Sequence, residues 1–249
     1  MARISYDDQT ATAYKAVREV PRDGLDAWRE AVRRHLEPAP GMTVVDIGAG
    51  TGAFSAHFGD WFGVDVVAVE PSASMRSRIP RRPGIRVLEG DAAHIPLPDD
   101  SADAAWMSLM IHHIPDLEAA AREVRRVLRP GAPVLIRQAY PDRPDRERTF
   151  PWEFFPETAR TTGTFPTLEA TCRAFAAAGL HRDALEPLPE VLMSPAQFLD
   201  RVDVFRRSDT SMRDLTDAEF EQGRVRLRRA VEESGHTPRS NWLDLLILR

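Results

Sequence analysis

The sequence holds a single cysteine and a single lysine in 249 residues, and no apolar run approaches the roughly 20 residues a membrane span requires. One cysteine, Cys172, excludes an internal disulfide and a cysteine-based zinc site. The scattered His35, His57, His94, His181 and His236 show no ligand spacing, so no metal is expected. The opening MARISYDDQT lacks an apolar h-region, and the expectation is no signal peptide and a cytoplasmic location. A net charge of −5 sets the chain apart from nucleic-acid enzymes, which usually carry a basic face. Arg122, Arg125, Arg126 and Arg129 do share one side of a helix, but with Glu123 beside them a solvated face is the plainer reading. Neither nucleic acid nor a membrane is expected as a partner.

What is present is a regular alternation of short apolar runs and helical periods. The length suits one α/β domain with insertions. Residues 7–20 and 23–36 read as helices, the second with Leu25, Trp28, Val32 and Leu36 at helical spacing before Pro38 and Pro40. Strands are expected at 42–47, 64–70, 85–91, 102–109 and 132–138, with helices at 52–60, 72–79 and 116–128 between them. Their continuous apolar character suits a parallel sheet covered on both faces. Beyond residue 139 the pattern loosens around Pro141, Pro144, Pro151 and Pro156. A helix at 167–178, a strand near 182–190, helices at 195–207 and 216–234 and a terminal strand at 242–248 complete the reading.

The segment VVDIGAGTG, Val44 to Gly52, runs a strand into a glycine-rich turn and then a helix. Gly48, Gly50 and Gly52 permit a tight bend and let a ligand lie against bare backbone. In an open α/β sheet this places the ligand beyond the carboxyl ends of the strands. Gly48, Gly50 and Ala53 also satisfy a dinucleotide-binding pattern, with Glu70 about 20 residues on, so the glycines alone leave two cofactor classes open. Asp46 separates them, because a carboxylate two residues before the first glycine repels a pyrophosphate and suits a cationic, phosphate-free ligand.

With these landmarks the sequence resembles the class I S-adenosylmethionine-dependent methyltransferases. The resemblance is to the group that includes quinone-biosynthesis C-methyltransferases and small-molecule enzymes of bacterial secondary metabolism. It covers residues 41–139 well and the remainder loosely. It implies a Rossmann-like α/β fold: a seven-stranded, mostly parallel sheet with the last strand antiparallel and helices on both faces. An N-terminal helical lid and a helical insertion before the last strand belong to the same expectation. The corresponding division is a cap at 1–40, a cofactor-binding core at 41–139, an acceptor-pocket and insertion region at 140–240 and a terminal strand at 241–249.

For S-adenosylmethionine, the resemblance assigns Asp46, Gly48, Ala49, Gly50 and Gly52 to the methionine half. It assigns Glu70, followed by Pro71, to the ribose hydroxyls, and Asp91 with Ala92 to the adenine amine. Met75 fits an adenine contact or plain core, and Ser108 opens the matching segment SLMIHHI after the fourth strand. Tyr14 and Arg18, one helical turn apart, fit a lid with Arg18 on the methionine carboxylate, or two surface positions. His112 and His113 are the candidate general bases, with His113 preferred; local shaping of the loop is the alternative. Trp152, Phe154 and Phe155, in an aromatic stretch from Phe150, are candidate walls of an acceptor pocket or ordinary core.

The expected function is methyl transfer to the carbon, nitrogen or oxygen of a small, mostly apolar metabolite, by a monomer or homodimer. The rivals are a nicotinamide-dependent oxidoreductase and a cofactor-binding protein without turnover.

Overall fold

A computed structural model describes residues 7–8, 11–12, 24–143, 152–191 and 193–249. Among them, seven strands form one sheet: β1 (Thr43–Ile47), β2 (Asp65–Val69), β3 (Ile85–Leu88), β4 (Ala104–Ser108), β5 (Val134–Gln138), β6 (Arg182–Val191) and β7 (Ser240–Leu248). The strand order is β3-β2-β1-β4-β5-β7-β6. Neighbours from β3 to β5 pair in parallel, and β7 runs antiparallel to both β5 and β6. The Rossmann-like expectation with a reversed last strand therefore holds.

The apolar runs are continuous because helices cover both faces of the sheet. On one face α1 (Asp26–Leu36) and α2 (Ala53–Phe62) pack Trp28, Val32 and Phe58 against Val44, Val66, Trp106 and Leu135. After the short α3 (Ala73–Arg76), α4 (Leu117–Val127) brings Ala120 and Val124 to the other face, onto Val45, Val67, Met107 and Ile136. Asp116 starts α4 by accepting the Ala119 N–H at 2.9 Å. The one-turn α5 (Ala159–Thr162) and then α6 (Leu168–Ala176) follow, α6 adding Phe175 to that second face. Pro187 and Pro189 are tolerated inside β6 because β6 is the edge of the sheet. The edge is tied to α1 by Trp28, whose indole N–H donates to the Pro189 carbonyl at 3.1 Å.

The insertion before β7 contains α7 (Pro195–Leu199), α8 (Val202–Ser208) and α9 (Asp217–Ser234). The single helix expected at 195–207 is thus two, separated at Asp200–Arg201. Capping boxes start α7 at Ser194 and α9 at Thr216. These helices build a third apolar cluster with Phe154, Phe155, Phe198, Phe205 and Phe220. Gly223 sits inside α9 where a Cβ would stand 2.2 Å from Phe155 Cδ1, so the ring lies directly on the helix backbone. The helix expected at 72–79 is four residues long, and that expected at 7–20 lies largely outside the described residues. No helix among the described residues is long and apolar enough to cross a membrane.

Candidate functional site

The carboxyl ends of β1, β2, β4 and β5 open into a cavity of about 780 Å³, continued by β6, β7 and the insertion. Its size suits a cofactor-scale ligand with a small second molecule. The glycine turn forms part of its floor. Gly48, Gly50 and Gly52 have φ of 68°, 58° and 81°, which L side chains rarely adopt. A Cβ on Gly48 would also meet Met110 Cε at 3.0 Å. Gly52 stands behind the wall as the residue before α2, packed on Ile79 and Pro80.

The amides of Gly48, Ala49, Gly50 and Gly52 are already committed. Gly48 N–H and Ala49 N–H donate to the Val69 carbonyl, and Gly52 N–H donates to Ala49. Gly50 N–H donates to Glu70 Oε2 at 2.9 Å, and Ser72 N–H donates to Oε1 at the same distance. Glu70 is buried, and burial pushes its carboxyl above the ordinary range, opposed by these two backbone donors. Each oxygen keeps a lone pair for a further donor.

Asp46 is 2% exposed and accepts the Ser55 hydroxyl at 2.5 Å on Oδ2. Burial pushes its carboxyl up to about 7; the Ser55 hydroxyl opposes this, and the nearby Glu70 carboxylate adds to it. The Ser55 backbone N–H supports the ionised form, so Asp46 occupies the first turn of α2. No cation among the described residues forms an ion pair with it.

Asp91 stands at the exposed rim, held by the Ala93 N–H at 2.8 Å on Oδ1. Ala92, Pro71 and Met75 line the same end, Met75 buried in α3. Opposite, the chain leaves β4 through Leu109, whose φ of 51° is a strained value for a bulky residue. It then enters a short helical turn, Ile111–His113. His112 and His113 both line the cavity with ring centroids 4.1 Å apart, and His112 stacks on Phe165 at 4.3 Å.

The structure thus brings together Asp46, Gly48, Ala49, Gly50, Glu70, Pro71, Met75, Asp91, Ala92, Ser108, His112, His113 and Trp152 around one cavity. Phe154 and Phe155 are placed elsewhere, in the apolar cluster of the insertion, where Phe155 stacks on Phe220 at 5.7 Å. Tyr14 and Arg18 lie outside the described residues, as does Phe150. Sequence reasoning passed over Arg137, Glu190 and Asn241. Arg137, in the middle of VLIRQ, is buried and donates to Ser108 Oγ at 3.0 Å and to Glu190. Its guanidinium lies over the Trp28 and Phe54 rings at 5.2 and 5.3 Å. An arginine inside a strand covered on both faces was the available signal, since such a charge demands a partner.

Comparison with known proteins agrees with this geometry. Residues 45–136 match the model of a methyltransferase domain. A demethylmenaquinone methyltransferase from Beutenbergia cavernae is 36% identical over 131 residues, which are 52% of this chain and 54% of the relative. A ubiquinone/menaquinone biosynthesis C-methyltransferase from a Caulobacter species is 33% identical over 142 residues, 51% of this chain and 56% of the relative. The chain therefore spans about half the length of the curated relatives it matches. Among solved structures, an Anabaena variabilis protein described as an antibiotic-biosynthesis methyltransferase superposes with a TM-score of 0.73 and 21% identity, covering 89% of this chain and 96% of that one. Geranyl diphosphate C-methyltransferase from Streptomyces coelicolor gives 0.56 and 18%, covering 89% and 77%; both likenesses speak to the fold. Residues 45–136 thus match a methyltransferase domain, and over about half its length the chain is similar to quinone-biosynthesis methyltransferases.

Proposed function

We propose that the protein transfers a methyl group from S-adenosylmethionine to a small, mostly apolar metabolite, a reaction suited to secondary metabolism. The observation that carries the reading is the buried Asp46 carboxylate on the cavity floor beside Glu70, with no cation among the described residues to neutralise it. Two clustered acids favour a ligand bearing an ammonium and a sulfonium. In the first turn of α2, where a dinucleotide would lay its pyrophosphate, the Ser55 N–H is taken by Asp46, and the amides of Gly48, Ala49, Gly50 and Gly52 are spent on Val69, Glu70 and Ala49. These features weigh against the nicotinamide reading.

In this proposal Asp46 and the glycine turn receive the methionine half, Glu70 the ribose hydroxyls, and Asp91 with Ala92 and Met75 the adenine. The cofactor supplies an already activated methyl group, so the chain's own work is to orient two reactants and exclude water. In the same reading His113, which lines the cavity as His112 does, holds an acceptor proton, and Trp152 with Phe165 gives the acceptor apolar wall.

Isothermal titration with S-adenosylhomocysteine and with NADH tests the cofactor half. Micromolar uptake of the first and none of the second is expected; the reverse pattern refutes the proposal. Methyl transfer from radiolabelled S-adenosylmethionine to a panel of phenols, quinols and amines tests turnover and separates an enzyme from a silent binder.

A further inference from the structure

We propose that Asn241 is an acceptor-binding residue, and that this cavity selects an acceptor with an uncharged hydrogen-bonding group and rejects anionic ones. The inference deepens the methyl-transfer reading and rests on it for the word acceptor.

Asn241 lies on β7, is 4% exposed and lines the cavity. Its carboxamide makes no hydrogen bond within the described residues, and neither amide atom is sealed in protein, so both face the cavity. A carboxamide that opens on a cavity and has no protein partner keeps its donor and acceptor available to a ligand. An amide both donates and accepts, so it matches a hydroxyl, carbonyl or carboxamide.

The surrounding charges set the sign of what can bind there. Asn241 pairs across the strands with Glu190, which is bound to Arg137. Arg137 is the one lysine or arginine among the described lining residues, and Glu190 neutralises it. Its Nε is buried without a partner and offers the cavity no open donor. Against that single cation stand six lining carboxylates: Asp46, Glu70, Asp91, Asp116, Glu190 and Asp209. Asp209 is held by Ser211 N–H, Ser211 O–H and Met212 N–H. No described lysine or arginine of the lining is left to pair with a carboxylate or phosphate, and the field of the wall opposes one.

Three probes with one apolar body separate the possibilities: 2-naphthamide, 2-naphthol and 2-naphthoate. Each is titrated by tryptophan fluorescence with and without saturating S-adenosylhomocysteine, in the parent, N241L and the near-isosteric N241D. The expected result is that naphthamide or naphthol binds at least about tenfold more tightly than naphthoate. N241L and N241D should each weaken naphthamide by about tenfold while the Kd for S-adenosylhomocysteine stays unchanged. Naphthoate binding as tightly as naphthamide, unchanged naphthamide affinity in both variants, or no binding of any probe would overturn the inference. Failure of S-adenosylhomocysteine to bind the parent would instead refute the cofactor reading, and the probe series without it still decides the role of Asn241.

Discussion

Asp46 and Glu70 end adjacent parallel strands with both carboxylates buried at the floor of one cavity, and the Glu70 carboxylate opposes the ionisation of Asp46. Such an arrangement is unfavourable in the empty protein and favourable once a cation arrives. It couples stability to pH and cofactor affinity to pH in opposite senses.

The stability effect follows from the proton held by Asp46. Its folded carboxyl titrates at about 7 against 3.8 for the ordinary group, because burial disfavours the charge. The folded state therefore binds the proton more tightly than the unfolded one. Below about pH 4 both states are protonated and nothing is lost. As pH rises toward 7 the unfolded state ionises first, and stability falls by about 1.4 kcal/mol per pH unit, on the order of 4 kcal/mol in total. D46N removes this loss. Urea unfolding should show D46N equal to the parent at pH 4 and more stable by a few kcal/mol at pH 8. Equal stability at pH 8 contradicts the argument.

Cofactor binding should draw on the same proton. An ammonium placed beside Asp46 stabilises the ionised carboxylate, so binding below pH 7 releases a proton. The affinity for S-adenosylhomocysteine should fall on acidification from pH 7 to 5, by up to about tenfold per unit. Calorimetry in buffers of different protonation heat counts the proton released. D46N should bind weakly with little pH dependence. A parent affinity that stays flat between pH 5 and 8 would remove Asp46 from the ammonium site.

The scaffold of this coupling was readable before any coordinates. Runs such as Val66–Val69 and Ala104–Met107 are apolar throughout because helices bury both sheet faces, and a strand so composed has few other places to lie. Asp46 was legible as chemistry because it is a charge near the end of a strand, two residues before the first glycine. Two things were not legible. Adjacent aromatics in a proline-broken stretch do not reveal which side each faces, and Trp152 turns to the cavity while Phe154 and Phe155 turn to Phe198 and Phe220. The polar row Arg137, Glu190 and Asn241 comes from strands far apart in the chain. Only the order β5-β7-β6 and the register Glu190 to Asn241 bring it together.

His113 and His112 should separate by readout. We propose His113 as the acceptor's base and His112 as a positioning residue, because His112 is buried on Phe165. H113A should lower turnover by about 10²-fold or more and flatten the acid limb of the pH–rate profile, with cofactor affinity intact. H112A should cost about 0.5–1.5 kcal/mol of stability through the lost ring contact. Unchanged turnover in H113A would mean that the acceptor needs no histidine base.

Arg137 and Glu190 form a buried pair in the cavity wall, each side chain 4% exposed. Neither charge has water to fall back on, so removing one strands the other. E190L and R137M should each destabilise by about 3–5 kcal/mol. The double variant R137M/E190L should recover most of that loss, because two apolar side chains suit the Trp28 and Phe54 rings that now cover the guanidinium. Urea unfolding of the four proteins closes the cycle. The recovered fold should also have lost a neutral polar wall beside Asn241, so its affinity for an amide-bearing probe should fall even where its stability returns. A double variant that restores both stability and probe affinity would show that the pair shapes neither the sheet edge nor the ligand it faces.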